Sequence, residues 1–215
     1  MTELHVTFPS GDSSIELEGL IQLPDGEDSF SAAVVCHPYP PAGGTMEVPL
    51  VQAISRAVAE VGIAALRFNF RSVGVSGGTF DNGRGEVDDV AGALDWLVAQ
   101  PKVDPDRLAL VGYSFGAAMA LFEAARNDCP QVLALIGLPL RWDLALPTID
   151  DRPCLLVAGE RDQLCPAPEL HSLARQLKGD VKVHIVADAD HFLFGHEEEV
   201  AGVVTDFLRD RRWPS

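Results

Sequence analysis

Six short apolar runs, most of them separated by amphipathic stretches, constrain this chain more than anything else in it. They are 32–36 (AAVVC), 63–70 (IAALRFNF), 107–111 (RLALV), 132–138 (VLALIGL), 154–158 (CLLVA) and 181–186 (VKVHIV). A strand wetted on one face alternates polar and apolar residues. A continuous apolar run of this length suits a strand covered on both faces, as in a parallel sheet. Stretches 48–61, 86–100, 114–126, 168–177 and 197–211 carry apolar residues at helical spacing, and Gly62, Pro101 and Gly179 follow three of them as stop signals. This alternation predicts βαβ units, and hence a three-layer α/β fold. Its central sheet is expected to be mostly parallel, of about eight strands, with helices on both faces. Two alternating segments, 4–8 and 15–23, come first and are expected to pair antiparallel, closed by Pro24-Asp25-Gly26. At 215 residues, 47% of them hydrophobic, the chain holds one substantial core, so 1–215 reads as a single domain. Residues 71–85 stand out as a long irregular loop of the kind that often carries function.

The run 107–111 leads directly into Gly112-Tyr113-Ser114-Phe115-Gly116, and a helical pattern begins at once. A G-x-S-x-G between a strand and a helix forces a sharp turn that leaves the serine strained and exposed, with the following helix N-terminus aimed at any developing negative charge. Ser114 is therefore the candidate nucleophile, against the plainer role of a helix N-cap. Gly74-Val75-Ser76-Gly77-Gly78 has the same pattern. No helix follows it, and Ser76 reads as part of the loop.

A serine hydroxyl needs a base, and the base needs an orienting acid. In sites of this strand–turn–helix kind both follow the serine along the chain. Asp162 lies after CLLVA, beyond Gly159-Glu160-Arg161, and is the candidate acid, with Glu160 as its rival. His191 lies after VKVHIV, beyond Ala187-Asp188-Ala189-Asp190, and is the candidate base, with His196 as the alternative. Phe192-Leu193-Phe194 is expected to pack beside it. The loop after AAVVC reads His37-Pro38-Tyr39-Pro40-Pro41-Ala42. Prolines carry no N–H, so Tyr39 is the residue there that offers a backbone donor. Tyr39 N–H and Phe115 N–H are assigned as the oxyanion hole. His37 is read as bracing the loop rather than as catalytic. Arg71 could bind a substrate carboxylate, or pair with Glu86, Asp88 or Asp89.

Taken in order, HPYPPAGGTME, RFNFRSVGVSGGTFDNGRGEVDD, GYSFG, GERD and DADHFLFG resemble the α/β-hydrolase superfamily over nearly the whole chain. More narrowly, they resemble its small bacterial lidless members, allied to the dienelactone-hydrolase-like and serine-aminopeptidase-like branches. Ser114 stands where dienelactone hydrolases carry a cysteine, so the resemblance implies their scaffold rather than their reaction. Superfamily members usually insert a lid after the strand that here reads VLALIGL. Only residues 139–153 separate that strand from the next, so no lid domain is expected and the site should be shallow and open. The implied activity is cleavage of small or short-chain esters or thioesters through an acyl-enzyme, without cofactor or metal. A serine peptidase of the aminopeptidase type and a non-catalytic binding protein on a hydrolase scaffold are the alternatives.

Charge narrows the partners. With 32 acidic and 16 basic residues the net charge is −16, and no basic stripe for nucleic acid is present. Arg209, Arg211 and Arg212 read as cations closing the last helix. The acidic balance disfavours anionic membranes, and no apolar run approaches the roughly 20 residues of a membrane span. The partner expected is a small ester or acyl substrate, with no nucleic acid and no membrane; homo-oligomerisation stays open. MTELHVTFPS has no signal-peptide pattern. Cys36, Cys129, Cys154 and Cys165 form no C-x-x-C pair and read as free thiols, which favours the cytoplasm.

Overall fold

The computed structural model describes residues 1–11, 14–26, 29–148 and 151–210. Its centre is an eight-stranded sheet: β1 (Thr2–Pro9), β2 (Glu16–Leu23), β3 (Phe30–Cys36), β4 (Ala64–Phe68), β5 (Val103–Tyr113), β6 (Val132–Ile136), β7 (Cys154–Gly159) and β8 (Val181–Val186). The spatial order is β1-β2-β4-β3-β5-β6-β7-β8. β1 and β2 pair antiparallel, β2 and β4 likewise, and every other neighbouring pair is parallel.

Among the described residues five α-helices cover the sheet: α1 (Pro49–Glu60), α2 (Arg84–Val98), α3 (Phe115–Ala124), α4 (Ala167–Ala174) and α5 (Glu197–Arg209). The period-two alternation of strand side chains divides the interior into two cores. Ala32, Val34 and Cys36 of β3 face one core with Leu108 and Leu110 of β5, packed by α2 and α3. Ala33 and Val35 face the other with Ala109 and Val111, packed by α1 and α5. α1 starts on Pro49, whose fixed φ and missing N–H suit a first helical turn. α5 opens on Glu197, Glu198 and Glu199 and ends near Arg209, each charge complementing the helix dipole. Arg211 and Arg212 lie outside the described residues.

β3 and β5 are neighbours, but their helices α1 and α3 lie on opposite faces of the sheet. The loops leaving their C-terminal ends therefore diverge and open a crevice, the usual ligand position in such sheets. Most element bounds shift by one to four residues from the sequence reading, and two of the shifts have clear local reasons. β5 continues to Tyr113 because Gly112 and Tyr113 still pair with Leu135 and Ile136. β4 ends near Phe68 because the Phe70 N–H goes to the His37 ring instead of to a neighbouring strand. Among the described residues no helix is long and apolar enough to cross a membrane.

Candidate active site

Ser114 sits between β5 and α3 at φ 55°, ψ −115°. A positive φ in a residue with a Cβ costs about 1–3 kcal/mol and persists only where the surroundings fix it. Here the Ser114 N–H donates to the Ile136 carbonyl at 2.8 Å, and the Ser114 carbonyl accepts the N–H groups of Ala117 and Ala118. The motif glycines are required by close approach. A Cβ on Gly112 would run into the Gly116 carbonyl, and one on Gly116 into the carbonyls of Cys36 and His37. The second motif is built differently. Ser76 Oγ accepts the Glu18 N–H at 3.0 Å and donates to the Asn69 carbonyl at 2.8 Å. Ser76 is a buried pin holding its loop to β2.

His191 Nε2 lies 2.9 Å from Ser114 Oγ, and His191 Nδ1 lies 2.8 Å from Asp162 Oδ2. The other carboxylate oxygen, Oδ1, accepts the N–H groups of Leu164 and Cys165, each at 2.8 Å. Burial pushes the Asp162 carboxyl up, but the bonds from His191, Cys165 and Leu164 outweigh it and hold the group below the ordinary carboxylate range. An ionised Asp162 accepting from Nδ1–H leaves Nε2 free to take the serine proton. The structure thus brings Ser114, Asp162 and His191 together. It places the two rivals elsewhere: the Glu160 carboxylate accepts the Asp188 N–H, and His196 Nδ1 meets Glu199 at the start of α5.

Two supports of His191 were not read from the sequence. Tyr113, inside the motif itself, donates its hydroxyl to the His191 carbonyl at 3.0 Å. Gly137, at φ 57°, lets the imidazole approach so closely that a Cβ there would stand 3.2 Å from Cε1. Their only sequence signals are a tyrosine beside the nucleophile and a glycine directly after VLALI.

Among the described residues neither the Tyr39 N–H nor the Phe115 N–H has a protein acceptor. The Tyr39 carbonyl accepts Ala42 and Gly44 N–H groups, which curls the proline-rich loop over the serine turn. The Tyr39 ring fixes the loop from outside, edge to face with Phe80, Phe115 and Trp142 at centroid distances of 5.5, 5.6 and 5.2 Å. His37 braces the loop from beneath. It is fully buried, its Nδ1 bonds the Pro38 carbonyl, and its Nε2 accepts the Phe70 N–H at 3.1 Å. Burial lowers its pKa to about 4 and keeps the ring neutral.

Arg71 makes the ion pair weighed against substrate binding, and its partner is Asp89. The Arg71 side chain is 7% exposed and its guanidinium clasps a fully buried Asp89, with Nη2 2.8 Å from Oδ1 and Nε 3.1 Å from both carboxylate oxygens. Nη2 also donates to Ser10 Oγ, and the Arg71 N–H to Asp89 Oδ2. Arg71 is also absent from the residues lining the cavity that holds Ser114.

Ser114 and His191 open into a cavity of about 460 Å³, whose other walls include Tyr39, Val48, Pro49, Trp142, Phe192 and Phe194. Among the described residues of the walls, His191 is the sole titratable or charged side chain apart from the phenols of Tyr39 and Tyr113. A second hollow of about 380 Å³, bounded by Phe80, Met119 and Leu144, shares Tyr39 and Trp142 with the first. Among the described residues no cluster of His, Cys, Asp and Glu is arranged to hold a metal ion.

Known structures with the same architecture include a lidless α/β serine hydrolase from Xanthomonas campestris. It is 32% identical, with a TM-score of 0.85 over 100% of this chain and 97% of that one. An α/β serine hydrolase homologue from Coxiella burnetii is 29% identical, with a TM-score of 0.84 over 96% and 97% of the two chains. In sequence, an uncharacterized protein of Rickettsia prowazekii is 31% identical over 185 residues, 82% of this chain and 77% of its own. Residues 76–206, which carry the Ser114 turn and the loops of Asp162 and His191, match the model of the dienelactone hydrolase family, and the chain belongs to that family.

Proposed function

We propose that this hydrolase cleaves small carboxylic esters or thioesters through an acyl-enzyme formed on Ser114, with His191 as base and Asp162 as its orienting acid. The observation that carries this reading is the unbroken hydrogen-bond chain from Ser114 Oγ to His191 to a buried Asp162, set on a strained turn at a cavity floor. Ser114 Oγ attacks the carbonyl carbon while its proton passes to His191 Nε2. The carbonyl oxygen takes up the negative charge, and the N–H groups of Tyr39 and Phe115 receive it. Collapse expels the alcohol or thiol, which takes the proton from Nε2. Water then attacks the acyl-enzyme with His191 again as base, releasing the acid and restoring the serine.

The cavity's modest size and the ring contact of Tyr39 with Trp142 favour short acyl groups. The serine in place of the family's cysteine argues against dienelactones. Four free cysteines, three of them buried, accord with a cytoplasmic setting. Labelling with a fluorophosphonate tests the core of the reading. Wild type should label and Ser114→Ala should not, and a panel of esters, thioesters and peptides should turn over in that order of preference. Labelling that survives Ser114→Ala overturns the assignment.

A further inference from the structure

Phe192 and Phe194 are 57% and 72% exposed, and they are the exposed aromatic side chains among the described residues. Large apolar side chains left in water contribute little to folding, and paired at the edge of a cavity they mark a binding surface. Their arrangement is built rather than incidental. Leu193 between them adopts φ 54° and is fully buried in the core formed with α1 and α5. That left-handed turn drives Leu193 inward and leaves both neighbours on the outer side. Their rings stack, 8° from parallel with centroids 5.7 Å apart. Phe192 also meets the His191 ring edge to face at 6.0 Å.

Both rings line the cavity that contains Ser114, as do Val48 and Pro49. This side of the site offers a flat aromatic shelf and an aliphatic wall, with no cation for a carboxylate. It also lies on the side of His191, which must hand its proton to the departing oxygen, so the departing group sits there. We propose that Phe192 and Phe194 form a specificity subsite for a planar, uncharged aryl group in the alcohol or thiol part of the substrate. This rests on the serine-hydrolase reading above.

The test compares benzyl acetate with ethyl acetate on wild type, Phe192→Ala and Phe194→Ala. Phe194 is exposed enough that its truncation opens no core. The ratio of kcat/KM for benzyl over ethyl acetate is expected to fall about tenfold in each variant, mainly through KM, the scale of a stacked aromatic contact plus its buried area. Ethyl phenylacetate, with the ring on the acyl side, should show a much smaller change. An unchanged ratio overturns the subsite, and an equal change for ethyl phenylacetate overturns its placement on the departing side. A shift in sedimentation with an unchanged ratio makes the shelf a contact between copies and overturns it as well. Binding of 2-naphthylmethanol to Ser114→Ala, followed by saturation-transfer NMR, reads the shelf without the chemistry. Its loss on adding Phe194→Ala supports the subsite even if the serine reading fails, and binding that survives Phe194→Ala overturns the subsite even if that reading holds.

Discussion

Replacing Arg71 by methionine should unfold this protein more readily without changing which esters it prefers. The substitution keeps most of the side-chain volume and removes the charge. It leaves Asp89 fully buried and without the guanidinium that now meets both carboxylate oxygens. An orphaned buried charge costs about 3–5 kcal/mol, a large share of the roughly 5–15 kcal/mol that holds a typical domain folded. For a chain of this size that corresponds to a fall in Tm of about 6–20 °C. The gap should persist in 0.5 M salt, because a buried pair is poorly screened. Removing both charges, as Arg71→Met with Asp89→Leu, should recover only part of the loss. The Arg71 N–H and the Ser10 hydroxyl would then lack the partners they have now, at about 1–3 kcal/mol for a buried unsatisfied group. Urea denaturation gives the stability, and kcat/KM on a neutral ester and its carboxylate-bearing analogue gives the preference. A variant within about 1 kcal/mol of wild type that loses activity on the anionic ester alone would refute the reasoning and return Arg71 to the substrate.

Acid should weaken the fold partly through His37. Its folded pKa of about 4 lies below the 6.5 of a free histidine, so between these values the unfolded chain binds more protons. Stability from this group is therefore complete above about pH 6.5 and falls by roughly 3 kcal/mol as the pH drops to 4. His37→Gln should flatten the urea midpoint across that window relative to wild type, and parallel curves would count against a neutral buried ring. Trp142→Ala should join the catalytic cavity to the hollow bounded by Met119 and Leu144, moving the optimum of a nitrophenyl ester series toward longer acyl chains. An unchanged optimum would mean that Trp142 does not limit the acyl group.

What the sequence made legible follows from the range of the forces involved. The AAVVC, VLALI and CLLVA runs of β3, β6 and β7 could be located because stretches wetted on neither face have no polar residues to hide them. Ser114 could be separated from Ser76 because the strain at a nucleophile turn needs a strand on one side and a helix on the other, both visible locally. Asp162 and His191 followed from chain order. The supports of the site were out of reach because they are contacts between distant segments: Tyr113 with His191, Gly137 beneath the imidazole, and Tyr39 among Phe80, Phe115 and Trp142. Arg71 shows the limit most clearly. Three acids of α2 were open to it, and the phase of the helix together with the bonds at its start decides among them. Glu86 and Asp89, three residues apart, share the buried face. Glu86 is occupied by the Asp81 and Gly83 N–H groups at the helix start, which leaves Asp89 for Arg71, while Asp88 points outward to Arg126. Phe192-Leu193-Phe194 likewise reads in sequence as one apolar block packed beside the base. A single left-handed residue in the middle turns that block into a buried anchor and an exposed aromatic pair. Substrate selectivity in such a site can therefore change through one backbone angle, with the reacting groups left where they are.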